Sequence, residues 1–438
     1  RQTRLRQRIA GCLATFMGHV HDAGVKHNDL HAGNILIRLD DQDQPRLYLV
    51  DLHAVRIGRP LGWRASRDNL VMLNQWFSMR ANRSDRLRFW RAYANARTEI
   101  FEKDSQVELS GSQANGFARD LERRTWNSNL RFWRNRDRRC VVQNRYFRKL
   151  ERPESRQPHL DGMAVTDLDE KAVEMLLTNP HEPLSRAGVT NLKDSPSSTV
   201  VGTAVPVQGV SCPAIYKRFV GSRAWRDWLA DKFRPLPALT SWINGHGLRE
   251  RCLPTPRPLA VVRLSRGFTN LDAFLLTAKV VGAVDLREYA TDLAQMPEAE
   301  KGRLIRQRID QLARLVREMH RRQVSHRDLK AVNILVQRPA SDYPRMSIDF
   351  GPFWLIDLVG VRLPRLLSFG RRVQNLARLN ASFPHPGILT RSDKLRFLRV
   401  YLQWGLYGQS AWKRWWHEID KVTQIKVARN RRNGRPLA

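Results

Sequence analysis

Cysteine is scarce in this chain: 438 residues hold four, Cys12, Cys140, Cys212 and Cys252, far apart and with no paired spacing. That distribution indicates neither a disulfide framework nor a zinc site, and it fits a reducing cytoplasm. Long apolar runs are missing too, and none approaches the ~20 residues of a membrane-spanning helix. Acidic residues are outnumbered by basic ones, 42 against 76, leaving a formal charge of +34. Such a surface attracts polyanions, whether nucleotide phosphates, anionic lipid head groups, phosphorylated glycolipid or nucleic acid, and charge does not choose among them. Core material is plentiful: 42% hydrophobic content with 13 Trp argues for folded domains, in a length that allows two or three cores. The chain opens on Arg1 inside a helix-like segment, so the true start is expected upstream, with a signal peptide or anchor there left open.

The most informative stretch runs from His320 to Asn333 and contains His326-Arg327-Asp328-Leu329-Lys330, followed by the apolar run Ile334-Leu335-Val336. A second run, Phe353-Trp354-Leu355-Ile356, ends on Asp357. Phosphoryl transfer needs metal to neutralise phosphate while an acceptor hydroxyl is held in line and relieved of its proton. Two carboxylates and an amide at this spacing meet that need. Asp328 would take the hydroxyl proton, Lys330 would steady the transferred phosphate, and Asn333 and Asp357 would bind magnesium. Taken singly, such residues usually cap or turn the chain. The compound pattern is what points to chemistry.

The chain carries this pattern twice. Leu5 to Asp29 repeats Leu304 to Asp328, and His21 precedes Asp29 as His320 precedes Asp328. The first set reads His27-Asn28-Asp29-Leu30-His31-Ala32-Gly33-Asn34, then Leu49-Val50-Asp51 against Leu355-Ile356-Asp357. Asn69-Leu70 and Asn74 match Asn375-Leu376 and Asn380, and Arg83 to Phe89 matches Arg391 to Phe397. Two domains of one type are expected, with Asp29 as base and Asn34 and Asp51 as metal ligands in the first. Asn28 and His31 stand where the second set has Arg327 and Lys330, so activity of the first is less expected.

Taken in order, Leu5, Ile9, Leu13, Phe16, Met17 and Val20 have helical spacing over residues 4–22. Residues 1–97 read as a helical lobe without a strand-rich partner. Residues 98–188 read as a basic, aromatic-rich connection, with loops at Gly111-Ser112-Gln113 and Pro153. The Arg, Trp and Phe of 121–150 suit an amphipathic helix that buries its rings, ahead of a surface for single-stranded nucleic acid. Strands are expected at Val189–Lys193, Ser198–Val207 and Pro213–Phe219, opening a strand-rich lobe over 189–284. Between the first two there is no glycine pattern for close approach to phosphate, and the hydroxyls of Ser197, Ser198 and Thr199 would substitute. Lys217, on the third strand, would neutralise nucleotide phosphates. The following helix-like segment offers only Glu250 as its partner. A helical lobe over 285–420 and a basic tail over 421–438 complete the chain.

The catalytic-loop and metal motifs resemble the protein-kinase-like superfamily, which implies a bilobal α+β fold with an antiparallel sheet lobe and a helical lobe. A literal Asp349-Phe350-Gly351 is present, but it precedes the apolar strand, whereas Asp357 ends it. His-Arg-Asp-Leu-Lys-Ala-Val-Asn-Ile-Leu-Val, with Leu253-Pro254-Thr255-Pro256-Arg257-Pro258 and Ile356-Asp357-Leu358-Val359-Gly360-Val361-Arg362, resembles the bacterial lipopolysaccharide core kinases of Kdo and heptose. The resemblance implies ATP with Mg2+, a lipid-linked sugar hydroxyl as acceptor, and a cytoplasmic enzyme meeting the inner leaflet of the cytoplasmic membrane. It places the roles on Lys217, Asp328, Asn333 and Asp357. A Ser/Thr protein kinase, a kinase-fold scaffold without activity and a nucleic-acid-binding protein are the alternatives, in that order.

Overall fold

The computed structural model describes residues 2–98, 111–152, 158–186, 189–221, 236–266, 269–338, 350–383, 389–402 and 411–434. It divides into two compact units, Arg1–Arg134 and Asn135–Ala438.

In the first unit, helix α1 (Gln2–Asp22) leads to β1 (Val25–His27), the hairpin β2 (Ile35–Leu39) and β3 (Pro45–Leu49), and β4 (Val55–Ile57). Helices α2 (Trp63–Arg80), α3 (Arg83–Ala96) and α4 (Gly111–Arg136) follow. Leu13, Ala14 and Met17 of α1 are buried with Leu70, Leu73, Trp90, Tyr93 and Leu121, so one face of each helix closes a single core. Strand β1 pairs with β4, and β2 with β3. The helix expected over 4–22 is present. The loop expected at Gly111-Ser112-Gln113 is not, because those residues open α4. Leu121, Thr125, Asn129 and Trp133, four apart on that helix, are all buried, which is the ring-burying arrangement.

In the second unit come β5 (Phe147–Glu151), β6 (His159–Val165), α5 (Glu170–Thr178), α6 (Glu182–Ser185), β7 (Thr190–Ser195), β8 (Ser198–Val207), β9 (Val210–Val220), α7 (Pro237–Glu250), β10 (Pro258–Arg266) and β11 (Thr269–Ala278). These strands form an antiparallel sheet in the order β5-β6-β10-β11-β9-β8-β7. Strand β8 matches its expected span and β9 begins earlier than expected, at Val210. Residues 98–188 are corrected: they are not merely a connection, since β5 and β6 add to the sheet, β6 pairing with β10 from Ala164↔Ala260 to His159↔Ser265. The charged Arg148, Lys149 and Glu151 of β5, of which Lys149 and Glu151 face solvent while Arg148 reaches Leu168 O and Glu170, hid the alternation that would have marked it. Leu259 to Val262 are buried in succession, so both faces of the central strand β10 are covered.

The helical lobe holds β12 (Ala283–Asp285), α8 (Leu286–Ala294), α9 (Glu298–Arg321), β13 (Ser325–His326), β14 (Ile334–Gln337), β15 (Phe353–Leu355), β16 (Val361–Arg362), α10 (Phe369–Ala381), α11 (Arg391–Leu402) and α12 (Trp412–Arg432). Asp285 caps α8, its carboxylate accepting from the backbone N–H of Arg287 and Glu288. Leu312, Ala313, Leu315, Val316 and Met319 bury one face of α9 and deliver His320 to the loop that follows. The architecture is a mixed α+β, kinase-like one, a sheet lobe followed by a helical lobe.

Candidate active site

Three links fix the loop that bears Asp328. Gln323, at φ 59°, turns the chain out of α9, and His326 pairs with Val361 across β13 and β16. Asn375 of α10, almost fully buried, presents one carbonyl oxygen to His326 N (3.0 Å), His320 Nε2 (3.2 Å) and Ser325 Oγ (3.2 Å). His320 accepts from the Tyr401 hydroxyl on its other nitrogen, 2.8 Å away. Burial, with Arg372 adding to it, pushes the His320 pKa down to about 3, so the ring is a neutral hydrogen-bonding post. His326 donates from Nε2 to Ile356 O at 2.9 Å, and Ile356 N donates to Asn333 O at 3.0 Å. The residue before Asp357 is thereby tied to both the base loop and Asn333.

Around these ties the expected residues meet. Asn333 Nδ2 donates to the backbone O of Asp328 (2.9 Å) and to its carboxylate (3.0 Å), which turns Oδ1 of the amide outward. Lys330 Nζ lies 3.2 Å from Asp328 Oδ2. Asp357, left-handed at φ 55°, sits just past β15, and Lys217 Nζ of β9 is 3.2 Å from its Oδ1. The acid paired with Lys217 is therefore Asp357, and Glu250, the candidate on α7, faces Arg136 instead at 3.5 Å. Asp349 of the literal Asp-Phe-Gly lies outside the described residues. One carboxylate and one amide oxygen fit a magnesium ion that takes its other ligands from phosphate and water. Among the described residues no cluster of three His, Cys, Asp or Glu could hold a metal by protein ligands alone.

The serines separate. Ser197 is exposed in the turn between β7 and β8, whereas Ser198 is buried, its hydroxyl 3.3 Å from that of Ser195. The expectation that Ser198 offers a hydroxyl to phosphate is corrected, because the two-residue turn points it into the hairpin. Thr199 is committed to Asp194 at 3.0 Å.

The first unit builds the same framework. His21 reaches the Tyr93 hydroxyl at 2.7 Å and Asn69 Oδ1 at 3.2 Å, and burial pushes its pKa down to about 4. Asn34 Nδ2 donates to Asp29 O at 2.8 Å, His27 Nε2 to Val50 O at 3.1 Å, and Asp51 is left-handed at φ 63°. The difference lies at the carboxylates. Asp51 is held by His53 of its own loop at 2.6 Å, and Asp29 has His31 at 3.7 Å in place of a lysine.

The correspondence between the two units runs beyond Phe89 and Phe397. Asn74 Nδ2 donates to Thr125 Oγ1 of α4, and Asn380 Nδ2 to Thr423 Oγ1 of α12, both at 3.1 Å. Trp63 packs edge-on against Phe117 (5.2 Å) as Phe369 does against Trp415 (4.6 Å). One threonine and one ring make too short a pattern to mark the repeat in the sequence. Asn69 and Asn375 were visible as a repeat, but the contacts that give them their role were not.

A family model described as the lipopolysaccharide kinase (Kdo/WaaP) family matches residues 1–93 and 205–401. The chain is 30% identical over 178 residues to the lipopolysaccharide core heptose(I) kinase WaaP of Pseudomonas aeruginosa, covering 41% of this chain and 64% of that protein. It is also 30% identical over 189 residues to a 3-deoxy-D-manno-octulosonic acid kinase of Haemophilus influenzae, covering 40% and 66%. The match thus spans just under two thirds of each relative. A solved structure of WaaP in complex with acyl carrier protein aligns at 23% identity and TM-score 0.38, over 58% of this chain and 98% of that one.

Proposed function

The chain belongs to the lipopolysaccharide kinase (Kdo/WaaP) family, and from that membership we propose that it is an ATP- and Mg2+-dependent phosphotransferase acting on a sugar hydroxyl of a lipid-linked lipopolysaccharide core. The observation that carries the reading is the junction in the second unit, where Lys217 of the sheet lobe meets Asp357, and Asn333 and Lys330 both meet Asp328. Magnesium, when bound, would neutralise the phosphates. Lys217 gives the sheet lobe a cation for the nucleotide, exchanging Asp357 for phosphate oxygens. Asp328, more than two fifths exposed, has a free oxygen to accept the proton of an incoming hydroxyl. Lys330 supplies positive charge to the group in transfer.

We assign the reaction to residues 189–420 together with the sheet strands β5 and β6, and we read residues 1–97 with α4 as a second, supporting copy of the helical lobe. In that copy Asp51 is paired with His53 of its own loop, where Asp357 has a lysine of the sheet lobe. No helix among the described residues is long and apolar enough to cross a membrane. The family reading puts the protein in the cytoplasm, meeting the inner leaflet through its basic surface. Lys or Arg close to an anionic bilayer contributes about 1 kcal/mol each.

The test is phosphate transfer from ATP to a lipopolysaccharide core acceptor. Asp328→Asn should lower turnover by a factor of about 100 or more with unfolding unchanged, and unchanged turnover would remove Asp328 as the base.

A further inference from the structure

Positive charge is gathered round Asp328 from helices that the phosphotransfer roles do not use. Arg378 lies on α10 one turn after Asn375, and three bonds hold it near the base. Asn375 fixes His326, Ser382 Oγ accepts from Ala331 N at 3.0 Å, and Ser382 itself donates to Arg378 O at 3.3 Å. Lys426 lies on α12, three residues beyond the Thr423 that Asn380 anchors, and so on the same helix face. The charges of these residues act on one another. Burial lowers the Arg378 pKa, Asp328 opposes that, and Arg327 reinforces it. Burial and then Arg378 lower that of Lys426, opposed by Asp328 and reinforced by Lys330 and Arg429. The four cations Arg327, Lys330, Arg378 and Lys426 thus share one electrostatic neighbourhood with Asp328, Arg378 and Lys426 being partly buried there. Of the four, Lys330 is the one that pairs with the carboxylate directly. Holding partly buried like charges together is costly unless an anion is expected between them.

The first unit provides a built-in control. The positions matching Arg327, Lys330, Arg378 and Lys426 are Asn28, His31, Met72 and Ser128, the last three residues beyond Thr125 as Lys426 is beyond Thr423. The hydrogen-bonded framework is kept while the lysines and arginines are gone. Their presence in the second unit is therefore not a requirement of the fold.

We propose that Arg378 and Lys426 form an acceptor subsite that binds an anionic group, a carboxylate or phosphate, carried by the sugar next to the hydroxyl that Asp328 deprotonates. The inference rests on the phosphotransferase reading and adds the charge of the substrate to it. The nucleotide is met by Lys217 from the sheet lobe, whereas these two cations come from α10 and α12 in the helical lobe. They hold the acceptor, and they act before transfer.

The probe is 3-deoxy-D-manno-octulosonic acid beside its methyl ester, which removes the charge and little else. Each is titrated into the full chain with and without a non-hydrolysable ATP analogue and magnesium. The acid should bind about tenfold or more tightly than the ester, as expected for one charge-assisted contact. Arg378→Met and Lys426→Ser, which install the first unit's residues, should each erase that difference, and Arg378→Lys should restore part of it. Arg431→Ser, an exposed cation on the last turn of α12, should leave it alone. Equal binding of acid and ester, no binding of either, or an acid preference that survives Arg378→Met and Lys426→Ser would overturn the subsite. So would both variants slowing transfer with acid and ester affinity unchanged, which would assign the cations to the phosphate in transit. Failure of the ATP analogue to bind, with the acid preference intact, would instead overturn the phosphotransferase reading and leave the anion subsite standing.

Discussion

Removing the side chain of Asn375 tests how the base loop is held. In the structure its single carbonyl oxygen receives His326 N–H, His320 Nε2–H and Ser325 Oγ–H, all three donors buried. The serine hydroxyl can turn to another acceptor, but the backbone N–H and the histidine ring cannot. A buried donor left without a partner costs about 1–3 kcal/mol, so Asn375→Ala should lower the stability of this region by about 2–6 kcal/mol. Because Asp328 lies two residues beyond His326, the loosened strand should also slow transfer. Hydrogen exchange resolved by segment, as a function of urea, gives the stability of residues 320–330 separately from that of 20–30. Exchange should accelerate in the first of these segments while the second stays protected. A loss below about 1 kcal/mol, or equal loss in both segments, would refute the argument that Asn375 is the post on which the loop hangs.

Two further outcomes follow from packing and protonation. A Cβ added at Gly162 would lie 2.1 Å from Val261 O and 2.9 Å from Val262 Cα, both backbone in the paired strand β10. Gly162→Ala should therefore destabilise the sheet lobe by about 2 kcal/mol or more, seen as a lowered urea midpoint, whereas Gly202→Ala in β8, where an added Cβ meets nothing nearer than Thr190 Cβ at 3.7 Å, should cost far less. The buried histidines set a pH dependence. The pKa values of His320 and His21 fall from 6.5 in the unfolded chain to about 3 and about 4 in the fold. Between those limits the unfolded chain binds more protons, so stability rises with pH and is lost progressively as pH drops from about 6.5 towards 4. The urea midpoint should decline over that window, and a flat profile in which His320→Gln changes nothing would contradict the assignment of a neutral ring.

Much of this arrangement could be read from residues alone because phosphoryl transfer constrains short segments tightly. The spacing of Asp328, Asn333 and Asp357 is set by one turn, one hairpin and one strand end, and such local units keep their signature whatever surrounds them. Setting Asp357 apart from the literal Asp349-Phe350-Gly351 needed only the apolar strand before it. Long-range matters were less visible. Three of the five residues of strand β5 are charged, so its partnership with β6 left no alternation to see. The acid beside Lys217 is supplied by Asp357, 140 residues away, and no helix pattern could point to it. Arg378 and Lys426 carry no signature among 76 Lys and Arg, because their relation to Asp328 is made by the packing of α10 and α12, and the inward direction of Ser198 is set by its turn.

The central claim is that the second unit transfers phosphate and the first supports it. Turnover of ATP with magnesium, with and without lipopolysaccharide core acceptor, in the intact chain and in Asp357→Ala and Asp51→Ala, addresses it directly. The account predicts acceptor-dependent turnover that Asp357→Ala abolishes and Asp51→Ala preserves. Turnover lost with Asp51→Ala and kept with Asp357→Ala, or an intact chain that neither binds nor turns over ATP, would contradict it.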